Sequence, residues 1–174
     1  MPLLITSMSL GVLVLDLALV VCALGLLRAS SRKQVIVLAR QHGRMIIFLL
    51  SLLSIAGTVW MQYGDNLAPC VLCWWQRICM YPIALISGVA IVKNTDLGEI
   101  ADYVLGLSFI GAVISLYQHL LQVLPAGSLI PCDASGDCAV RSVFEFGFVT
   151  IPWMALTVFA TILFIALASR KNSG

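Results

Sequence analysis

The sequence predicts an all-α polytopic membrane protein, a four-helix transmembrane bundle with an additional N-terminal apolar helix. Three observations carry that prediction. The 174 residues are 61% hydrophobic and only 10% charged, whereas a soluble globular domain carries about 25% charged residues. Five apolar runs, at about 3–27, 45–63, 77–93, 103–124 and 148–168, punctuate the chain, each near the roughly 20 residues that a helix needs to cross a bilayer. Lys and Arg gather in alternate gaps between these runs. Runs this long and continuous exclude barrel strands, the only other spanning structure that lipid tolerates. The length suits one integral membrane domain over 1–174. A net charge of +2, with no basic patch interleaved with aromatics, excludes a nucleic-acid binder.

The first run has no Lys or Arg in residues 1–10, so it lacks the basic start of a secretory signal and reads as a spanning helix. Asp16 sits in its middle, where a carboxylate costs about 2.5–3.5 kcal/mol on insertion scales. It is expected to face the bundle or a polar partner, or the segment lies shallow. Residues 28–44, with Arg28, Arg32, Lys33, Arg40 and Arg44, read as a basic connector. The second run ends in a polar stretch at about 64–76. The third is short, and Trp74, Trp75 and Tyr81 near its start suit the membrane interface. Lys93 follows it. The fourth run leads into a second polar stretch at about 125–147, and Arg170 and Lys171 follow the fifth. The positive-inside rule puts the three basic segments in the cytoplasm. Both polar stretches and the N-terminus then lie outside, in contact with lipid headgroups and an oxidising compartment.

Each polar stretch carries a cysteine pair: Cys70-Val71-Leu72-Cys73 in the first, Cys132 and Cys138 in the second. Cys22 and Cys79 lie inside apolar runs, where a free thiol acts as a small hydrophobe. As structural staples the two pairs are weak, since rings of about four to seven residues contribute only ~2 kcal/mol each in the chain-entropy model. A bridge between the two stretches would contribute about 4 kcal/mol. Four thiolates also suit zinc, but an oxidising compartment favours disulfides, and no metal is expected. Small rings facing that compartment point to redox chemistry.

Pro69 and the helical pattern after it place Cys70 and Cys73 in the first turn of the third helix. Helix N-termini stabilise thiolates, and Cys-X-X-Cys pairs often have lowered thiol pKa. Arg77 follows Cys73 by one helical turn, on the same face. It is either a snorkelling anchor or a cation that stabilises a thiolate and an electron-accepting ring that becomes anionic. Around Cys132 and Cys138, Asp133, Ser135, Gly136 and Asp137 make a turn-rich loop. Its tethers, at ~3.3–3.6 Å per residue, permit swings of over 20 Å between a soluble partner and Cys70–Cys73.

With these residues in view, the chain resembles the DsbB family of membrane thiol–quinone oxidoreductases over roughly 45–168. The resemblance rests on Pro69-Cys70-Val71-Leu72-Cys73 with Gln76-Arg77, then Tyr117-Gln118-His119 and Leu121-Gln122. Ala134-Ser135-Gly136-Asp137-Cys138-Ala139 and Ile151-Pro152 complete the ordered set. It implies a four-helix bundle in a bacterial cytoplasmic membrane that reoxidises a DsbA-like thioredoxin-fold partner and delivers electrons to a quinone, ubiquinone or menaquinone. By position, Cys132 accepts the partner's thiolate, Cys138 then attacks Cys70, and Cys73 leaves as the thiolate facing the quinone beside Arg77. His119 matches a histidine near the quinone, or is simply a polar residue hydrogen-bonded at headgroup depth. The loop pair is close-spaced, as in the short-loop members of the family, and the first apolar run lies outside the four-helix pattern. In vitamin K epoxide reductase-like proteins, the enzymatic alternative, the loop pair precedes the Cys-X-X-Cys instead of following it. The non-enzymatic alternatives are a scaffold with structural disulfides, with no use for Arg77, and a metal transporter with soft thiol ligands.

Overall fold

In a computed structural model, which describes residues 2–64, 66–124 and 143–170, the chain forms five α-helices. They are α1 (Pro2–Leu27), α2 (Ala29–Tyr63), α3 (Val71–Val92), α4 (Leu97–Val123) and α5 (Ile151–Ser169). All five are long and apolar enough to cross a membrane, and the chain is a multi-pass membrane protein. Among the described residues there is no strand, only an isolated bridge between Glu145 and Val149.

Helices α2 to α5 close a ring: α2 packs on α3, α3 on α4, α4 on α5, and α5 returns to α2. α1 stands outside that ring, against α2 and α5. Ile47, Ile83, Leu97, Val104, Phe159 and Ile162 fill the interior. The buried face of α4 shows how the packing is specified. Ala101, Val104, Ser108, Gly111, Ser115, Gln118 and Gln122 are all buried, a spacing alternating between three and four that makes one continuous seam. Its middle is small, as membrane helices need when lipid gives no hydrophobic drive to associate. A Cβ at Gly111 would collide with the Phe159 ring, so that glycine permits the α4–α5 approach. Toward the end of α4 the seam changes from small residues to two amides.

The helix ends depart from the apolar runs in informative ways. α2 starts at Ala29 instead of near 45, because Arg, Lys, Gln, Leu and Ala are good helix formers whether or not they suit lipid. At 1.5 Å per residue α2 is about 52 Å long against a hydrocarbon core of about 30 Å, so its basic start projects beyond the bilayer. There Arg44 donates to Asn94 Oδ1 at 2.7 Å and to the Thr95 carbonyl at 3.0 Å, tying α2 to the α3–α4 turn. α4 begins at Leu97 after Asp96 and α3 at Val71 after Cys70, both earlier than their apolar runs. Apolarity marks the lipid-facing length, whereas the cap residue marks the backbone helix. At α5, the Thr150 hydroxyl accepts the Trp153 N–H at 3.3 Å, a side-chain cap that starts the helix at Ile151.

Candidate functional site

The start of α3 builds the site. Cys70 is the N-cap residue, with extended backbone (φ −73°, ψ 172°), and Cys73 lies in the first turn. Their sulfurs are 3.2 Å apart as two thiols. Unpaired N–H groups of a first turn and the positive end of the helix dipole favour a thiolate there.

A glutamine from α4 completes the pair's surroundings. Gln118 Nε2 donates to Cys70 Sγ at 3.1 Å and to Cys73 Sγ at 3.4 Å. Gln76, one turn into α3, donates to Gln118 Oε1 at 2.8 Å, which turns the Gln118 amide nitrogen toward the sulfurs. Gln118 is 2% exposed. Hydrogen bonds to the charged form favour it, and a neutral amide does this without placing another net charge in the membrane. The Gln118→Leu protein is therefore expected to alkylate more slowly at Cys70 and Cys73 near neutral pH. The alkylation rate at fixed pH should fall by about tenfold, the low end of a charge-assisted hydrogen bond. An unchanged rate would mean that the amide only fills space.

Arg77 is 8% exposed, and its nitrogens reach α2. One terminal nitrogen donates to Gln62 Oε1 at 2.6 Å and the other to the Thr58 carbonyl at 3.2 Å. The guanidinium carbon lies 5.2 Å from the Trp74 ring centroid, within cation–π range. Its Nε is buried with no hydrogen-bond partner. A buried donor without an acceptor costs roughly 1–3 kcal/mol, and the Arg77 side chain lines a cavity.

That cavity measures about 500 Å³, within the range of small-molecule sites. Cys70, Cys73, Gln76, Arg77, Gln118 and Gln122 give it one polar wall. The remainder is mostly apolar, including Leu50, Met61, Met80, Met154, Val158 and Phe159. Among the described residues no Asp or Glu lines it. The arrangement suits an apolar, planar ligand with a polar edge, held against two sulfurs and a cation.

The structure thus brings Cys70, Cys73 and Arg77 to one cavity, with His119 apart from its lining. His119 Nδ1 lies 2.9 Å from Thr150 Oγ1, and its ring lies 4.9 Å from that of Trp153. It braces the start of α5. Cys132 and Cys138 lie outside the described residues. Cys79 packs in the core, and Cys22 is half-buried on α1. The sequence reading did not assign Gln62, Gln76, Thr58 or Gln118 to the site. The signal for Gln118 was its place in the buried seam of α4, three residues after Ser115 and four before Gln122.

Comparison with known proteins places the chain in a family. The family model described as disulfide bond formation protein DsbB matches residues 40–169. The chain is 36% identical over 128 residues to disulfide bond formation protein C of Bacillus subtilis, covering 72% of this chain and 91% of that protein. It is 39% identical over 123 residues to probable disulfide formation protein C 1 of Bacillus cereus, covering 70% and 87%. A probable disulfide formation protein of Chlamydia caviae is 37% identical over 117 residues, covering 66% and 83%. No solved structure matches the chain significantly. With a thiol pair at a helix start, inside a membrane bundle matched over most of its length, this chain belongs to the DsbB family of disulfide bond formation proteins.

Proposed function

We propose that the chain is a membrane thiol–quinone oxidoreductase that reoxidises a DsbA-like thioredoxin-fold partner and passes the electrons to ubiquinone or menaquinone. The observation that carries this reading is the largely apolar cavity whose wall holds Cys70, Cys73 and the Arg77 side chain together. A quinone fits that setting. Its ring suits the apolar walls, and an oxygen at its edge suits the guanidinium. Arg77, Cys73 and Gln76 would hold the ring end. Once bound, it would supply an acceptor for the two electrons released when the Cys70–Cys73 dithiol closes to a disulfide.

The thiol steps balance among the chain's own sulfurs. The partner's thiolate attacks Cys132, forming a mixed disulfide and releasing Cys138 as thiolate. Cys138 attacks Cys70, which breaks Cys70–Cys73 and frees the Cys73 thiolate. The partner's second thiolate then attacks its own mixed-disulfide sulfur, so the partner leaves oxidised and Cys132 leaves as thiolate. Cys132 attacks Cys138 and restores the loop disulfide, with Cys70 and Cys73 now reduced. Each exchange runs by thiolate attack, and its rate depends on the leaving thiol's pKa. Gln118 and the α3 N-terminus lower that barrier at Cys73 by favouring its thiolate.

Protein purified in mild detergent is expected to yield about one equivalent of quinone on organic extraction, on the reading that a single preformed pocket holds it. Extracts free of quinone, together with no quinone reduction when a reduced thioredoxin-fold partner is added, would exclude this function.

The orientation proposed is extracytoplasmic for both cysteine pairs, in a bacterial cytoplasmic membrane. Among the described residues every Lys and Arg except Arg77 belongs to the helix ends opposite Cys70, at the α1–α2 junction and start of α2, the α3–α4 turn and the end of α5. The positive-inside rule assigns those ends to the cytoplasm. After mild reduction of intact cells, a membrane-impermeant maleimide should label both pairs. Labelling that requires permeabilisation would reverse the orientation.

A further inference from the structure

The family match begins at residue 40, so α1 stands outside it, yet α1 closes one side of the cavity. Met8, Gly11, Val12 and Leu15 line it, at the i, i+3, i+4, i+7 spacing of a single helical face. α1 packs against both α2 and α5, which themselves line the cavity through Leu50 to Met61 and Ile151 to Phe159. It therefore covers the seam between those two helices on the side that faces lipid. The lining extends along α2 from Met61 to Leu50, about 16 Å at 1.5 Å per residue. Arg77 meets this length at Thr58 and the α1 face meets it at Gly57, so the polar wall and α1 flank the cavity.

Polar contacts fix α1 in register. The Asp16 carboxylate accepts from Trp153 Nε1 at 3.2 Å and from Thr157 Oγ1 at 2.8 Å, both on α5. A carboxylate within a membrane span is costly unless it is paired toward protein, so these bonds hold α1 in one rotation. Nearer the N-terminus, Thr6 Oγ1 donates to Glu145 Oε1 at 3.1 Å. The Met8 terminal methyl lies where a Cβ on Gly57 would be, so α1 packs closely on α2 at that glycine. Gly11 behaves differently. It lines the cavity, but a Cβ added there meets nothing within 4 Å. Gly11 is itself exposed, and the space in front of it is open.

We propose that α1 is the lipid-side wall of the quinone site and that Gly11 is a specificity-determining residue. Its missing side chain leaves the passage along which the quinone's apolar tail runs from the ring end toward lipid. This proposal rests on the quinone reading above. A ring held at Cys73 and Arg77 leaves its tail only the apolar length of the cavity, and α1 forms the outer side of that length. Asp16 is the positioning residue that keeps the glycine turned inward.

The test compares Gly11→Phe and Gly11→Leu with the unaltered protein. Three quantities are measured: quinone extracted from the purified protein, KM for a prenylated quinone, and KM for a tail-less analogue. Helix propensity rises on replacing glycine, so both variants should fold; thermal unfolding checks this. Prenylated quinone recovered from Gly11→Phe is expected to drop by about tenfold and its KM to rise by about tenfold, the effect of excluding a few buried CH₂ groups. Gly11→Leu should fall between the two. The KM of the tail-less analogue should change by less than about twofold, since the ring end keeps its contacts. Folded variants that retain prenylated quinone, or that lose both quinones equally, would overturn the proposal. An unaltered protein that binds and reduces neither quinone would refute the quinone reading itself, a result distinct from any effect of Gly11.

Discussion

With Cys73 replaced by Ser, oxidation of the partner at the expense of quinone is expected to fall to the uncatalysed background. Cys73 is the sulfur in the first turn of α3, in the cavity wall and bonded by the Gln118 amide. Serine keeps the size but cannot form the disulfide that returns Cys70 to its oxidised state. The loop disulfide survives this change, so one equivalent of partner should still be oxidised before the reaction stops. Rapid mixing with reduced partner separates that single turnover from the lost steady state. Sustained turnover by Cys73→Ser would remove this cysteine from the route. The companion Cys138→Ser has no loop disulfide, so it should trap a mixed disulfide between Cys132 and the partner only when the partner is supplied oxidised, its disulfide being attacked by the Cys132 thiolate. A trapped species joined through Cys70 would reverse the order of transfer.

For Arg77→Gln, kcat/KM for quinone is expected to fall about 30-fold, close to 2 kcal/mol of lost stabilisation. The change removes a buried cation and its orphaned Nε while leaving the thiol pair in place. Single-turnover oxidation of the partner by the loop should stay near normal, because the partner's attack on Cys132 precedes any step at Cys70 and Cys73. Arg77→Lys should recover part of the loss. It restores the charge but not the planar fork that serves Gln62 Oε1, the Thr58 carbonyl and the cavity at once. Unfolding must be followed in parallel, since the glutamine leaves two α2 acceptors short of a donor at roughly 1–3 kcal/mol. Unchanged quinone kinetics would return Arg77 to the role of an interfacial anchor. Loss of partner exchange as well would indicate a misfolded bundle.

How far the site was legible depended on the range of the interaction that built each part. The thiol pair at the start of α3 needed only Pro69, a Cys-X-X-Cys and the helical pattern that follows, all within a few residues. Arg77 followed from the same helix by counting one turn. The α2 contacts that orient Arg77 did not, because Thr58 and Gln62 lie 19 and 15 residues away in sequence. Gln118 is 48 residues from Cys70 and reaches it only because α3 and α4 pack side by side. His119 follows Gln118 directly, yet it turns to Thr150 and Trp153 instead of the cavity. One step along a helix rotates a side chain by about 100°, so neighbours in sequence serve different faces.

By itself, the sequence predicted five helices long and apolar enough to cross a membrane, basic residues gathered at alternate ends of them, and a cysteine pair at the start of the third. Each of these follows from local apolarity, charge or a helix-start signal, which act within one segment. Only the tertiary structure decided which faces turn inward. In a soluble helix an apolar stripe announces the buried face, but lipid is as apolar as the core, so buried and lipid-facing sides look alike in sequence. That is why α1 read as an unexplained extra helix until packing set it against α2 and α5. The same packing gave Asp16 its partners on α5, 137 and 141 residues away. It also turned Gly11 toward the cavity that Cys73 and Arg77 share.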